Sequence, residues 1–169
     1  MNRGEQSEGR HFSCSMTAVL LARVEAYGGQ PAVQQLLELA GSSRSPEYLC
    51  DTGNWVSYDE AVALWQAGAQ VTHHPQFARK VGEDAVKRLG ASPVAALLRS
   101  LGAPEGVYRE ITKVASKYTT VSKLETVDAR PGYAEIVATA VNGFPRAADH
   151  CAWTCGQIST PPLLFGLEP

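Results

Sequence analysis

The chain has 169 residues, of which 44% are hydrophobic and 19% are charged, and its formal net charge is −2. This length predicts one domain with a core of ordinary size, and this composition excludes a disordered or a membrane-spanning chain. Acidic and basic residues are interspersed without a basic stripe, so the sequence does not favour a nucleic-acid partner.

The N-terminal segment MNRGEQSEGR is polar and carries both signs, so we expect residues 1–10 to form a flexible tail. His11, next to this tail, is expected to be exposed. The apolar run over residues 16–22 is too short to cross a bilayer and lacks the flanking features of a signal peptide. We therefore expect a cytoplasmic protein with no membrane partner. Four cysteines in such a chain are expected to be thiols or metal ligands rather than disulfides.

Residues 11–117 are predicted to be helical, with glycine and proline marking the ends of the segments. Apolar residues at helical spacing predict a first helix that ends at Gly28 and Gly29. Pro31 is a favourable first residue for a second helix, which ends at Gly41.

The segment 42–55, SSRSPEYLCDTGNW, is predicted to be a loop with short extended pieces. The sequence SYDE then predicts a capping box, in which Ser57 accepts from the amide of Glu60 and the Glu60 side chain bonds back. The helix that follows runs over residues 58–71. Gly68 on its apolar side indicates a close approach to a neighbouring element.

Three further helices complete the helical part. HHPQFARKVGEDAVKRLG is predicted to begin near Pro75 and to end at Gly90, and its alternating charges are typical of a solvated face. We expect the adjacent His73 and His74 to cap this helix and contact solvent rather than bind a metal. SPVAALLRSLG and PEGVYREITKVASKY are each predicted to form one helix that begins near a proline.

The period of the sequence changes in YTTVSKLETVDA, where alternation and β-branched residues predict a strand. RPGY is predicted to turn the chain and AEIVATAV to return, which gives an antiparallel hairpin over residues 118–141. A last helix follows over residues 146–158. We therefore predict an α+β fold, in which an N-terminal helical layer packs on a small antiparallel sheet with a C-terminal helix. Because a hairpin alone is a poor sheet, we also expect the chain to be truncated before further strands.

The stretches YTTVSKLETV, GYAEIVATA, HCAWTCGQIST and PLLFGLEP resemble sensor domains related to the 4-vinyl reductase family. RSPEYLCD, NWVSYDEA and LRSLGAPEGVYR carry the same resemblance, which covers most of the chain. Such domains stand at the front of bacterial signalling proteins such as diguanylate cyclases, and their fold is similar to haem–nitric-oxide-binding domains and TRAPP subunits. The resemblance implies a single sensor domain over residues 1–169, with the hairpin and helix in residues 118–169 and the last strands missing.

The resemblance also implies a pocket for an apolar or aromatic molecule between the helices and the hairpin, whose occupancy regulates an output domain. Aromatic residues at these spacings are equally typical of an ordinary core. The aromatic candidates for this pocket are Trp65, Phe77, Tyr108, Tyr118, Trp153 and Phe165. The candidates for its polar groups are Thr120, Ser122 and Cys151.

Cys151 and Cys155 are predicted to share one face of the last helix, which suits two metal ligands, a redox pair or two buried side chains. In the aromatic-sensing relatives, a cysteine five residues before a glycine helps to bind zinc, and Cys151 and Gly156 match that spacing. The resemblance places the remaining ligands beyond Pro169, so this chain alone does not complete a four-ligand zinc site. Haem is not favoured, because no Tyr-x-Ser-x-Arg clamp is present and His150 stands in no matching motif. We expect His150 to lie at the rim or to accept a hydrogen bond from a loop.

We expect a regulatory domain without catalytic activity, because nucleophile motifs, phosphate loops and dinucleotide fingerprints are not found. The sensor domains that this chain resembles often form dimers, and an exposed hairpin edge favours strand pairing between two copies. We therefore expect a homodimer. One alternative is a TRAPP-like adaptor or dimerisation module, which would expose a large apolar patch and contain no closed cavity. Another is a metal- or haem-dependent sensor.

Overall fold

The structure, a computed structural model, describes residues 9–89, 92–141 and 143–168. In these ranges the chain forms eight α-helices, a 3-10 helix and two antiparallel pairs of strands, which confirms the α+β class. The helices are α1 Cys14–Ala40, α2 Pro46–Cys50, α3 Tyr58–Thr72, α4 Phe77–Leu89, α5 Pro93–Arg99, α6 Pro104–Arg109, α7 Ile111–Ala115 and α8 Ala148–Ser159. The strands are β1 Phe12–Ser13, β2 Trp55–Val56, β3 Ser122–Arg130 and β4 Tyr133–Ala140, and the 3-10 helix is Pro161–Phe165. Within the described ranges, no helix is both long enough and apolar enough to cross a bilayer.

Helix α1 has two arms, which correspond to the two helices predicted from the sequence. Gly28 and Gly29 have non-helical dihedral angles between the arms, and Gly29 has a φ of 67°, which glycine adopts without strain. The second arm ends at Gly41, also in the left-handed region, whose amide donates to the carbonyl of Glu38. The predicted boundaries at these glycines are confirmed.

The segment predicted to be a loop contains the short helix α2. The hydroxyl of Ser45 accepts from the amide of Tyr48 at 3.2 Å, and Pro46 occupies the first helical position. Five residues are too few to show a helical period in the sequence, which explains why the loop prediction was wrong here.

The predicted capping box is half correct. The Ser57 hydroxyl accepts from the amide of Glu60 at 3.1 Å, as predicted. The carboxylate of Glu60 instead accepts from the Ser42 hydroxyl at 2.7 Å and from Nε of Arg44 at 3.3 Å. These two partners arrive from the segment after α1, so Glu60 ties the start of α3 to the end of α1.

The predictions for the ends of α4 and for the helix that follows α5 have mixed outcomes. His74 does cap α4, since its Nδ1 accepts from the amide of Gln76 at 3.2 Å, but His73 ends α3 in a left-handed conformation. The predicted end of α4 at Gly90 lies outside the described residues. The single helix predicted over PEGVYREITKVASKY is two helices, α6 and α7, because Glu110 leaves the helical region with φ −96° and ψ 2°.

The predicted hairpin begins four residues later than expected. Residues 118–121 run beside the N-terminal strand β1 instead, where the amide of Ser13 donates to the carbonyl of Tyr118 at 2.9 Å. The amide of Thr120 likewise donates to the carbonyl of His11 at 3.1 Å, and its hydroxyl to the carbonyl of Arg10 at 2.9 Å. The prediction of a flexible tail is therefore wrong at Arg10, and residues 1–8 of that tail lie outside the described residues.

Strands β3 and β4 form the hairpin, with Leu124 opposite Ala138 and a bulge between Thr126 and Asp128. Leu124 is buried and its neighbours Lys123 and Glu125 are exposed, as the predicted alternation requires. Helices α6 and α7 pack against β3, and the Thr126 hydroxyl donates to the carbonyl of Tyr108 in α6. Both strands of the hairpin therefore lie against α6, and β3 packs against α7 as well.

Helices α4 and α8 cross with their backbones in contact. A Cβ atom at Gly82 would lie 2.2 Å from the carbonyl oxygen of Trp153, and one at Gly156 would lie 2.1 Å from the carbonyl oxygen of Arg79. A similar approach joins α3 to α4, where a Cβ atom at Gly68 would lie 2.2 Å from Cε1 of Phe77. The close approach predicted at Gly68 is confirmed.

Replacing Gly156 or Gly82 by alanine should destabilise the protein by about 2 to 3 kcal/mol, because each methyl group would force two backbones apart. By helix propensity alone, alanine would stabilise the helix by roughly 1 kcal/mol relative to glycine. The sign of the measured change in the free energy of unfolding therefore tests the packing directly. Urea unfolding followed by circular dichroism measures the change. Cys155→Ala, an exposed site on α8, is the control and should change the free energy of unfolding by less than about 0.5 kcal/mol. Equal stability of Gly156→Ala and wild type would contradict the crossing.

Candidate functional site

A cavity of about 230 Å³ lies between the helices and the hairpin. Its walls come from the first turns of α1, the second half of α4, helices α5 to α8, the start of β3 and the 3-10 helix. Most of its lining is apolar, and the aliphatic side chains include Met16, Val19, Ile111, Val114, Leu124 and Leu164. The cavity therefore has the apolar, concave character of a small-molecule site.

A few polar groups interrupt this apolar lining. Ser122 and Thr154 contribute hydroxyls, and Thr154 already donates its proton to the carbonyl of His150 at 2.9 Å. Trp153 also lines the cavity, and its indole Nε1 is buried without an acceptor among the described residues. A buried donor without a partner typically costs about 1 to 3 kcal/mol. An acceptor brought by a ligand or a water molecule would remove that cost.

Three of the nine residues predicted from the sequence line this cavity: Tyr118, Ser122 and Trp153. Two of the others are core residues of α3 and α4 that do not line the cavity. Trp65 and Phe77 are buried in the main hydrophobic cluster, where Phe77 packs on Gly68. Their burial matches the alternative interpretation of these aromatics as ordinary core.

The remaining four predicted residues are elsewhere for separate reasons. The Tyr108 side chain is buried outside the cavity, with its hydroxyl donating to the carbonyl of Ile158 at 2.8 Å, and burial raises the pKa of this phenol. Phe165 is half-buried against a small second cluster around Leu98 and Leu164. Thr120 is exposed and bonds to the N-terminal segment, so it points away from the cavity. Cys151, the fourth, is exposed on α8.

The aliphatic residues that line the cavity were not predicted from the sequence. The walls supplied by α1 and α7, for example Val19 and Val114, have no motif that separates them from core residues. Alternation in β3 does place Ser122 and Leu124 on one face, and this was the usable signal. The contribution of α1 depends on the pairing of β1 with residues 118–121, which no local pattern shows.

His150 lies inside an aromatic cluster rather than at the rim of α8, so that prediction was wrong. Its ring stacks on Trp65 with centroids 6.0 Å apart and meets the edge of Phe12 at 5.0 Å. Its Nε2 lies 3.5 Å from the Ser122 hydroxyl. Burial among these rings lowers the pKa of His150 to about 4, because the charged imidazolium would lose its hydration. His150 is therefore neutral at neutral pH.

His11 is also less exposed than predicted. Its Nδ1 accepts from the amide of Tyr58 at 2.9 Å, which caps the start of α3, and its ring meets the edge of Phe144 at 4.7 Å. The Tyr58 hydroxyl in turn donates to the carbonyl of Pro145 at 2.7 Å. These contacts fix the segment that leads into α8.

Protonation of His150 should destabilise the folded protein, because the unfolded chain binds this proton near pH 6.5 and the folded protein only near pH 4. The folded protein has its full stability with respect to this group above about pH 6.5, where His150 is neutral in both states, and it loses stability progressively as the pH falls towards 4. Between pH 7.5 and pH 5.0, wild type should lose about 2 kcal/mol more stability than His150→Phe, which keeps an aromatic ring. Urea unfolding at the two pH values measures this difference. Identical losses in both proteins would show that the ring is solvated.

The cysteines of α8 are not core residues, so the interpretation of this pair as two buried side chains is wrong. Cys151 and Cys155 are both exposed and free, whereas Cys14 is buried. Across the described ranges, no group of three or more His, Cys, Asp or Glu side chains is arranged to hold a metal ion. Cys151 and Cys155 supply two thiol donors at most, which does not fit a four-ligand zinc site. We therefore derive no role for zinc from these residues.

Thiol-specific labelling with Ellman's reagent should separate the four cysteines. Cys151 and Cys155 should react rapidly in the folded protein, and Cys50 more slowly because burial raises the pKa of its thiol. Cys14 should react only on unfolding, since it is buried and burial raises its pKa too. Replacing both α8 cysteines by serine should remove two equivalents from the fast phase. A fast phase that persists in this double variant would contradict the assignment.

Comparison of the chain with protein-family models, with curated proteins and with solved structures finds no match. The function of the protein is therefore inferred from the cavity and from the residues around it.

Proposed function

We propose that this protein is a sensory domain that binds a small apolar or aromatic molecule in the cavity between the helices and the hairpin. The observation that carries the proposal is the cavity itself, because its lining is mostly apolar and is interrupted by a few polar groups, among them those of Ser122 and Thr154. In this proposal the domain is the cytoplasmic input module of a bacterial signalling protein and has no catalytic activity of its own.

The size of the cavity supports a ligand with a single ring. An engineered cavity of about 150 Å³ lined by aliphatic and aromatic side chains stays dry and binds benzene. The cavity of about 230 Å³ leaves room for a ring with one or two substituents. Ser122 and Thr154 place hydroxyls on the wall where such a substituent would bond.

A ligand here would contact several elements at once, which suits a sensor. The cavity is lined by residues of α7, β3 and α8. A ligand shifts an equilibrium only by its different affinity for two arrangements, and contacts to the hairpin and to α8 provide such a difference. The proposed output is a change in the packing of α8 against the hairpin, transmitted to a second copy in a homodimer.

A second candidate function is protein docking, as in an adaptor. Helix α5 buries Ala95 and Leu98 but exposes Val94 and Leu97, and Leu97 is 64% exposed. Leu101, just after the helix, continues this exposed apolar side. Apolar side chains on both sides of a short helix favour a surface that another protein covers. The two functions are compatible, because Val94 and Leu98 also line the cavity.

Titration with 4-methylphenol tests the proposed binding. At about 100 times its dissociation constant, a ligand stabilises the folded state by about 2.7 kcal/mol, which raises the melting temperature of a chain of this size by roughly 5 to 10 °C. Ala115→Phe should abolish this shift by filling the cavity, which Ala115 lines. Lys117→Phe, at an exposed site two residues away, adds the same ring outside the cavity and should keep the shift. Equal shifts in both variants would contradict binding in the cavity.

A further inference from the structure

Among the described residues that line the cavity, the one charged side chain is that of Arg88, in the last turn of α4. The other described lining residues are apolar or uncharged, and neither Asp nor Glu is among them. A positive charge at the edge of an apolar cavity, without a lining carboxylate to balance it, favours a ligand that carries negative charge.

The acidic group nearest in sequence on this face does not neutralise Arg88. Asp84, one turn earlier on α4, forms ion pairs with Arg23 and, at 3.9 Å, with Lys87. These contacts lie in a neighbouring polar cleft, which Arg88 also borders. Within the described ranges, Arg88 itself forms no hydrogen bond and no ion pair of 4 Å or less. Its guanidinium is therefore available to a ligand.

Two more donors in the lining favour the same kind of ligand. The buried Nε1 of Trp153 has no acceptor among the described residues. The side-chain amide of Gln157 makes no hydrogen bond to them either, and Gln157 also lines the cavity. Arg88 and Trp153 offer only donors, and Gln157 has a free amide that donates as well as accepts. A carboxylate or phenolate has the acceptors that these groups require.

We infer that the ligand is an amphipathic organic acid, whose apolar body occupies the cavity and whose anionic group binds Arg88 at its edge. This inference rests on the proposed function and specifies its ligand class. A planar carboxylate matches the guanidinium geometry, since both can form two parallel hydrogen bonds. The apolar walls set the size of the body, and Arg88 sets the sign of its charge.

Three probes with nearly the same shape test this inference: 4-methylbenzoate, 4-methylbenzamide and 4-methylbenzylammonium. Isothermal titration calorimetry of the full chain at pH 7.5 measures their dissociation constants. The benzoate should bind about fivefold more tightly than the benzamide, a modest factor because Arg88 is exposed and the contact is hydrated. The ammonium should bind most weakly of the three.

The variants Arg88→Gln and Lys87→Gln are a matched pair, because each removes one positive charge from neighbouring exposed positions of α4. Lys87 does not line the cavity. Arg88→Gln should abolish the preference for benzoate over benzamide and leave the affinity for benzamide unchanged. Lys87→Gln should retain the preference. In the wild type, raising the salt concentration should weaken the binding of benzoate alone.

The outcomes separate this inference from the proposed function. Equal affinities for benzoate and benzamide in the wild type would overturn the inference and leave binding of apolar molecules intact. Equal loss of the preference in Arg88→Gln and Lys87→Gln would also overturn it, since general electrostatics would then suffice. Failure of all three probes and of 4-methylphenol to bind would overturn the proposed function and the inference with it.

Discussion

The contact between the backbones of α4 and α8 is the constraint on which the rest of the structure depends. Gly82 and Gly156 face each other's helices, and neither position has room for a Cβ atom. This contact fixes α8 beside α4 and so sets where Trp153 and Gln157 stand relative to Ala85 and Arg88. The cavity exists because these helices touch near Gly82 and Gly156 and leave space further along, where α5, α7 and the hairpin complete the wall.

Trp153 links the cavity to the core. Its ring is tilted against Trp65 at 5.9 Å and against His150 at 6.2 Å, and it also lines the cavity. Ser122 makes a similar link on the hairpin, because its hydroxyl lies 3.5 Å from His150 and borders the cavity. A ligand that displaces either side chain would disturb a packed aromatic cluster, which responds by discrete rearrangement more readily than by smooth deformation. Through Trp153 and Ser122, binding of a ligand in the cavity would therefore change the packing of the aromatic core.

Local signals in the sequence predicted much of the fold. The glycine boundaries of α1, the hydroxyl cap of Ser57 and the close approach at Gly68 each follow from chemistry within a few residues. The candidate site was harder to predict, because its walls come from seven helical segments and a strand that are distant in sequence. His150 shows the limit: its neighbours Phe12 and Trp65 are more than eighty residues away, and only the folded structure reveals its burial. The exposure of Cys151 and Cys155 likewise depends on which face of α8 meets α4.

In the proposed function, a small apolar molecule occupies this cavity and no other part of the surface. Methyl-labelled protein titrated with 4-methylphenol and followed by ¹³C NMR tests it at individual residues. The methyl signals of Ile111, Val114 and Leu124, which line the cavity, should shift together with one dissociation constant. Those of Leu36, which is buried in the second arm of α1 and does not line the cavity, should stay in place. Shifts confined to the exposed Leu97 of α5, or no saturable shifts at all, would contradict binding in the cavity.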